Sequence, residues 1–147
     1  MTLRLDYRAV APAAYQAMAG VNLALQHSGL GQPLIDLLFL RISQINGCAY
    51  CVDKHSHDLQ AQGENFQRLQ SLVCWQEAPC FSERERAALA WAEALTEVAV
   101  KRAPEHLYQR LTLHFSETDI AELGFVIALM NAWNRIAIGF GQTSAMR

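Results

Sequence analysis

Apolar residues recur along most of the chain at spacings of three and four, the pattern of helices with one buried face. Two such segments begin with a start signal: Ser82 is followed three residues later by Glu85, and Ser116 precedes the last segment. The apolar positions after these serines keep the helical period: Ala88, Trp91, Ala92 and Leu95, then Ile120, Leu123, Ile127 and Met130. No stretch shows the alternation of a strand that ends in a hairpin turn. The pattern predicts an all-α protein.

Prolines and glycines fall where these helices would start or stop. Pro33 can open a helix, Asn46-Gly47 is typical of a turn, and Gly63 can end a helix. The predicted helices cover about 12–28, 33–46, 48–62, 64–74, 82–99, 104–114 and 116–139. No repeat or linker divides the sequence. We therefore predict one domain, residues 1–147, of about six or seven helices.

Composition excludes several classes of protein. The chain has 147 residues, of which 52% are hydrophobic and 18% charged, so it can bury a core and is not disordered. Its formal net charge is −2 and it has no dense Lys/Arg cluster, so we expect neither nucleic acid nor an anionic membrane as a partner. The longest unbroken apolar runs are far shorter than the about 20 residues that cross a bilayer.

The role of the four cysteines depends on whether the protein is in an oxidising or a reducing compartment. The first residues carry Asp6 and no compact apolar run before a cleavage site, so we expect no signal peptide and a cytoplasmic protein. In a reducing compartment, four cysteines are not typical of a disulfide framework. A CxxC pair in such a protein is more often catalytic or metal-binding than structural.

The candidate chemistry lies in the segment from Cys48 to His55. If a helix begins at Cys48, then Cys48, Cys51 and His55 share one face at i, i+3 and i+7. Cα atoms three residues apart on a helix are roughly 5–6 Å apart, a distance that a disulfide tolerates. His55 can exchange a proton with the Cys51 sulfur. Cys48 would lie in the first turn, where the free N–H groups favour a thiolate, so position alone favours Cys48 as the nucleophile.

Three interpretations of this cluster are open. The first is a redox-active dithiol with its own base. The second is a zinc site of Cys48, Cys51 and His55, which requires a fourth ligand from His57, Cys74 or Cys80. The third is structural: two buried small side chains and a hydrogen-bonded histidine.

The run Ser-Gln-Ile-Asn-Gly-Cys-Ala-Tyr-Cys at 43–51, with His55 four residues later, resembles the AhpD-like alkylhydroperoxidases. These belong to the wider carboxymuconolactone decarboxylase superfamily. The resemblance is strong over about residues 33–65, which we take as the redox core, and looser over 82–98. The decarboxylase branch of the superfamily lacks the cysteine pair.

The resemblance implies a single AhpD-like helical domain that forms a homo-oligomer, a trimer or a hexamer, and needs no haem, flavin or metal. It implies a peroxidase that reduces a hydroperoxide with its dithiol and is then reduced by a dithiol reductant or reductant protein. By the resemblance Cys51 is the peroxidatic cysteine, Cys48 the resolving one, and His55 part of a proton relay. We follow this assignment over the positional one because His55 is placed to serve Cys51.

Two positions depart from the family pattern. The relay in the family begins with a glutamate twelve residues before the first cysteine, and that position here is Asp36. Asp36 is the one charged residue in the apolar run 34–40, so we predict it as the relay acid. Tyr50 stands where well-studied members have a histidine between the cysteines.

The predicted function is therefore a thiol-dependent peroxidase using Cys51, Cys48, His55 and Asp36. The alternatives are a general thiol-disulfide oxidoreductase or redox sensor that uses the same dithiol, and a zinc-binding helical oligomer. Apolar residues on more than one face of Leu34–Leu40 and Phe125–Met130 independently predict a homo-oligomer.

Overall fold

The computed structural model describes residues 3–145, and every regular element in that range is helical. Nine α-helices and one 3₁₀ helix, Leu72–Cys74, form a single helical domain. The α-helices are α1 Tyr7–Val10, α2 Pro12–Leu25, α3 Gln32–Asn46, α4 Ala49–Ala61, α5 Phe66–Ser71, α6 Glu83–Thr96, α7 Val98–Lys101, α8 Glu105–Thr112 and α9 Glu117–Phe140. The all-α prediction is confirmed.

The predicted count of six or seven helices is wrong, because the described residues contain nine α-helices. The two additional helices, α1 and α7, have four residues each. A single turn is too short to show a hydrophobic period, so it leaves no pattern in the sequence. Glu97, with φ −102° and ψ 32°, also separates α7 from α6, where the sequence predicts one continuous helix.

Local signals place the ends of the other helices. Capping boxes start α6 at Ser82 and α9 at Ser116, each with a reciprocal side-chain bond three residues on. Gly47 ends α3 in the left-handed conformation, with φ 68°. The Cys48 N–H then donates to the Ser43 carbonyl at 3.0 Å, which turns the chain directly into α4.

The centre of the core is α3, which packs against α4, α6 and α9. Every residue from Leu34 to Leu40 is buried. Complete burial of a leucine or isoleucine contributes about 1.5–3 kcal/mol, so this segment is a large part of the stability of the domain. Its apolar character on all sides, which the sequence suggests to be an interface, is therefore explained within one chain. In Phe125–Met130, by contrast, Phe125 is 63% exposed.

By length and composition alone, α9 could cross a membrane. The central helix of a helical bundle has the same properties, and α9 packs against α2, α3, α4, α6 and α8. The apolar face that it buries includes Leu123, Val126, Ile127 and Met130. The long apolar stretch is thus part of the core of the domain.

Two groups of polar side chains, each built around buried members, join α3 to its neighbours. In the first, Asn46 Nδ2 donates to Oδ1 of Asn131 at 3.0 Å and of Asn134 at 2.9 Å, and Asn134 donates to Ser43 Oγ at 3.0 Å. Asn131 in turn donates to Thr96 Oγ1 at 3.1 Å. These bonds connect α3, α9 and α6 and satisfy the buried amides.

The second group, which we call the Glu93 cluster, comprises Arg41, Trp75, Gln76 and Glu93. Glu93 Oε1 accepts from Arg41 Nε and from Trp75 Nε1, both at 2.8 Å, and Arg41 Nη2 lies 2.7 Å from the same oxygen. Glu93 Oε2 accepts from Gln76 at 3.3 Å. Both carboxylate oxygens are therefore hydrogen-bonded, as a buried charge requires.

Candidate functional site

The cysteine pair lies at the start of α4. Cys48 is the N-cap residue, and its sulfur accepts the Cys51 backbone N–H at 3.3 Å. Cys51 lies in the first turn, and the two residues form a disulfide with a Cα–Cα distance of 5.3 Å. The helical spacing predicted from the sequence is confirmed. Sulfur at a helix N-terminus is favoured as a thiolate, because the free N–H groups and the helix dipole stabilise negative charge.

The two cysteines differ in what they face. Both are buried, with 1% of Cys48 and 3% of Cys51 exposed. Cys51, however, lines a cavity of about 580 Å³, whereas Cys48 does not. Asp36, Tyr50 and His55 line the same cavity. A small molecule in the cavity therefore meets Cys51 rather than Cys48.

His55 lies one helical turn after Cys51 and is buried against Phe39, with ring centroids 5.1 Å apart. Its Nδ1 is 3.3 Å from Asp58 Oδ2 but makes no hydrogen bond, because the contact is poorly aligned. Burial, together with the positive charge of Lys54, lowers the pKa of His55 to about 4 against the opposing effect of Asp58. The imidazole is therefore neutral at pH 7 and able to accept a proton.

Asp36 reaches the site from α3, the helix packed against α4. Its Oδ1 accepts from Gln32 Nε2 at 3.0 Å, and its Oδ2 accepts from Gln62 Nε2 at 2.6 Å. Burial raises the pKa of the Asp36 carboxyl, although these two hydrogen bonds oppose the shift. One ligand-type atom from each of Asp36, His55 and Asp58 lies within 4.8 Å of the other two. We call these three residues the His55 cluster.

Sequence reasoning did not identify Asp58 or Gln62. Asp58 lies on α4 three residues beyond His55, and Gln62, the C-cap residue of α4, follows His55 by seven residues on the same side. Spacings of three and seven residues from His55 are those of side chains on one helical face, so the sequence contained a signal for both residues. Gln32 could have been found in the same way, since it precedes Asp36 by four residues on α3.

The ligands suggested for a zinc site are not brought together. Among the described residues, the group of potential ligands whose atoms lie within 4.8 Å of one another is the His55 cluster, which includes no cysteine. Cys74 is exposed, Cys80 is half-buried, and both are free. His57 is exposed on α4.

The fold and the site together define an all-helical dithiol protein of the AhpD type: a buried CxxC disulfide at a helix N-terminus, a histidine one turn later, and a carboxylate from the preceding helix. A family model described as the carboxymuconolactone decarboxylase family matches residues 11–94. The chain belongs to this family.

Comparison with individual proteins agrees with this assignment. The uncharacterized protein YdfG of Bacillus subtilis (strain 168) is 35% identical over 147 residues, which is the full length of both chains. ATU0492 of Agrobacterium tumefaciens, a protein of unknown function provisionally described as the antioxidant defence protein AhpD, superposes with a TM-score of 0.95 at 36% identity. That match covers 99% of this chain and 100% of the other.

The same fold also occurs in an enzyme that is named for a different reaction. The debrominase Bmp8 superposes with a TM-score of 0.81 at 22% identity, over 91% of this chain and 72% of the other. At this identity the similarity concerns the fold alone. The reaction of this chain therefore has to be argued from its own site.

Proposed function

We propose that the protein is a thiol-dependent peroxidase that reduces hydroperoxides with the Cys48–Cys51 dithiol. The observation that carries the proposal is the position of Cys51, which shares its cavity with a neutral histidine and a buried carboxyl group. A peroxidatic cysteine needs access to the peroxide and a nearby base to take its thiol proton. Cys51 has both, and Cys48 lacks the access.

In the first step, His55 accepts the thiol proton of Cys51, and the thiolate attacks the terminal oxygen of the hydroperoxide. The O–O bond breaks, Cys51 becomes a sulfenic acid, and the proton returns to the leaving alkoxide to give an alcohol. The cysteine is oxidised by two electrons and the peroxide is reduced by two. Asp36 acts as the relay acid that exchanges protons with this network, and Asp58 positions the imidazole.

In the second step, the Cys48 thiolate attacks the Cys51 sulfur, and hydroxide leaves and takes a proton to form water. The Cys51 N–H that is directed at the Cys48 sulfur favours the thiolate which this step requires. An external dithiol then attacks Cys51 from the cavity, and Cys48 leaves as the stabilised thiolate. The second thiol of the reductant completes the exchange and regenerates both cysteines.

The proposal includes the setting in which the enzyme acts. We propose a cytoplasmic homo-oligomer, a trimer or a hexamer, that uses a dithiol reductant or reductant protein. Large apolar side chains exposed on the isolated chain support the oligomer; on α2 and α9 these are Val21, Leu23, Phe125 and Ile138. A monomer that persists at micromolar concentration and physiological salt would contradict it.

The test is consumption of cumene hydroperoxide with reduced lipoamide as the electron donor. Wild type should turn over, and Cys51→Ser should lose all consumption because no peroxidatic thiol remains. Cys48→Ser should still form a sulfenic acid that a dimedone-type reagent traps, but should not close the disulfide. Sulfenic acid trapped at Cys48 in Cys51→Ser, with activity retained, would reverse the assignment. Absence of turnover in wild type would reject the peroxidase.

A second candidate is a thiol-disulfide oxidoreductase that uses the same dithiol. Tyr50 favours it, because the phenol that lines the cavity beside Cys51 offers no neutral base where related sites have an imidazole. Disulfide exchange depends less on such a base than peroxide cleavage does. Rapid exchange with a small disulfide, combined with negligible peroxide consumption, would select this alternative.

A further inference from the structure

The cavity that contains Cys51 also contains an arginine from the N-terminal segment. Arg8 lies on α1 and lines the cavity together with Tyr7 and Tyr15. Its guanidinium carbon is 5.7 Å from the Tyr7 ring centroid and 5.6 Å from the Tyr15 ring centroid. It also interacts with the side chain of Tyr50, the residue next to Cys51. Three aromatic residues therefore hold one cation at the wall of the cavity.

The other charged groups of the cavity already have polar partners. Lys54 Nζ lies 2.9 Å from Asp58 Oδ2, and Asp36 accepts two glutamine amides. His55 is neutral at pH 7. Lys54 offsets Asp58, and the second carboxylate, Asp36, is held by neutral amides, so Arg8 is the one cation of the cavity lining without an ion-pair partner among residues 3–145.

Arg8 differs from them because no carboxylate within residues 3–145 forms an ion pair with its side chain. Asp6 Oδ1 accepts the backbone N–H of Arg8, at 3.2 Å, and not the guanidinium. The guanidinium also hydrogen-bonds the side chains of Tyr50 and Tyr7, but it has five N–H donors, so others remain for a ligand. Arg8 is thus an exposed cation at the cavity wall that forms no ion pair with a carboxylate in the described part of the chain.

One part of the remaining wall is apolar, while Asn22 and Gln26 add amide side chains elsewhere. Trp133 packs against Tyr15 with ring centroids 5.6 Å apart, and Met130 and Ala137 continue the same surface from α9. The volume of about 580 Å³ is within the range of organic ligand sites, about 300–1,000 Å³, whereas one water occupies roughly 30 Å³. The cavity therefore fits an organic molecule with an apolar body.

We infer that the cavity binds an organic hydroperoxide that carries a carboxylate, with the carboxylate held by Arg8 and the apolar body against Trp133 and Met130. The inference rests on the proposed function, because it names the substrate class of the same site. A guanidinium fork matches a carboxylate through two parallel hydrogen bonds. A single negative charge also suits a cavity that already contains Asp36 and Asp58, which repel a doubly charged group such as a phosphate.

Direct binding tests the inference without requiring turnover. The probes are two alcohols that correspond to peroxide reduction products: 4-(2-hydroxypropan-2-yl)benzoate, which carries a carboxylate, and 2-phenylpropan-2-ol, which does not. Titration calorimetry of the wild-type protein should show about tenfold tighter binding of the carboxylate. Arg8→Gln should remove the difference, and Arg8→Lys should retain part of it because the charge remains. Arg102→Gln, which removes an exposed arginine outside the cavity, should leave the difference unchanged.

Equal affinity of the two alcohols for wild type, no binding of the carboxylate in the millimolar range, or a preference that survives Arg8→Gln would each overturn the inference. The corresponding hydroperoxides separate this result from the proposed function. Turnover of both hydroperoxides with the same KM would overturn the Arg8 inference alone. A carboxylate preference in binding, without any peroxide turnover, would reject the peroxidase and leave Arg8 as the anion site of the cavity.

Discussion

Helix α3 carries two charged side chains, the buried Asp36 and the half-buried Arg41, whose surroundings differ. Arg41 belongs to the Glu93 cluster, in which both oxygens of Glu93 accept hydrogen bonds. Asp36, five residues earlier, belongs to the His55 cluster, which lines a cavity. In that cluster His55 Nδ1 is one of two buried side-chain polar atoms without a hydrogen-bond partner in the described part of the chain.

The difference is in how far each group compensates the loss of hydration of its polar side chains. In the Glu93 cluster, hydrogen bonds and the opposite charge offset the loss of hydration, and the ion pair between Arg41 and Glu93 holds α3 to α6. In the His55 cluster the loss of hydration is offset only in part, so the pKa of His55 falls and the pKa of Asp36 rises. Perturbed pKa values of this kind in a cavity are more frequent at functional sites than elsewhere in proteins.

The largest expected effect comes from opening the Glu93 cluster. Glu93→Gln leaves the half-buried Arg41 guanidinium without a counter-charge, and we expect the free energy of unfolding to fall by about 3–4 kcal/mol, the lower part of the range for a broken buried pair. Urea denaturation monitored by circular dichroism measures the loss. The alkylation rate of Cys51 in the reduced, folded variant should stay close to that of wild type. A loss below about 1 kcal/mol would show that the Glu93 cluster does not stabilise the fold as argued.

The next effect is the dependence of stability on pH. The folded protein binds the His55 proton only near pH 4, whereas the unfolded chain binds it near pH 6.5. Stability from this residue is therefore present above about pH 6.5 and is lost as the pH falls towards 4, by roughly 3 kcal/mol in total. His55→Gln should lose this dependence.

Asp36 changes the dependence of stability on pH in the opposite direction to His55. For this reason His55→Gln has to be compared with wild type at each pH. Because the pKa of Asp36 is raised on folding, protonation at low pH favours the folded state. Urea denaturation between pH 7 and pH 4 gives both curves. Parallel curves for the two proteins would show that His55 is not held neutral by burial.

A smaller effect is expected when the carboxylate of Asp36 is removed. Asp36→Asn should raise the apparent pKa of the Cys51 thiol and slow its oxidation by about tenfold to a hundredfold, because a proton acceptor is lost. Its stability should change by less than Glu93→Gln changes it, since the side chains of Gln32 and Gln62 can rotate to bond the new amide.

Asp36→Glu is the matched control, because it keeps the carboxylate and restores the length of the family's residue. It should equal or exceed the wild-type rate. The measurement is the pH profile of thiol alkylation for the three proteins. Superimposable profiles would exclude Asp36 from the relay and reduce the site to Cys48, Cys51 and His55.

The smallest effect is expected for Asp58→Asn. Asp58 is partly exposed and already paired with Lys54, so it contributes to the position of His55 more weakly than burial does. We expect the alkylation rate of Cys51 to fall by a few fold. The control is Glu83→Gln, which breaks an exposed ion pair with Arg110 outside the cavity. It should leave the alkylation rate of Cys51 unchanged. A loss as large as that of Asp36→Asn would make Asp58 the principal relay acid.

Features that depend on neighbouring residues were predictable from the sequence. The capping boxes at Ser82 and Ser116 and the left-handed Gly47 are formed by residues at most five apart, so a local pattern is sufficient to place them. The same holds for the 5.3 Å separation of Cys48 and Cys51, which follows from helical geometry. The family resemblance added Asp36, whose approach to His55 no local rule predicts.

Only the tertiary structure decided which side of α4 faces the cavity, because the rotation of a helix depends on what it packs against. Burial of α3 on α4 places Cys51 at the cavity and Cys48 outside it, although both precede His55 on the same helical face. Long-range packing also brings Arg8, on α1, to Tyr50, which is 42 residues away in the sequence. The sequence determined the chemical groups and their helices, while long-range packing determined which groups meet and which remain unpaired, since burial energies are summed over the whole core.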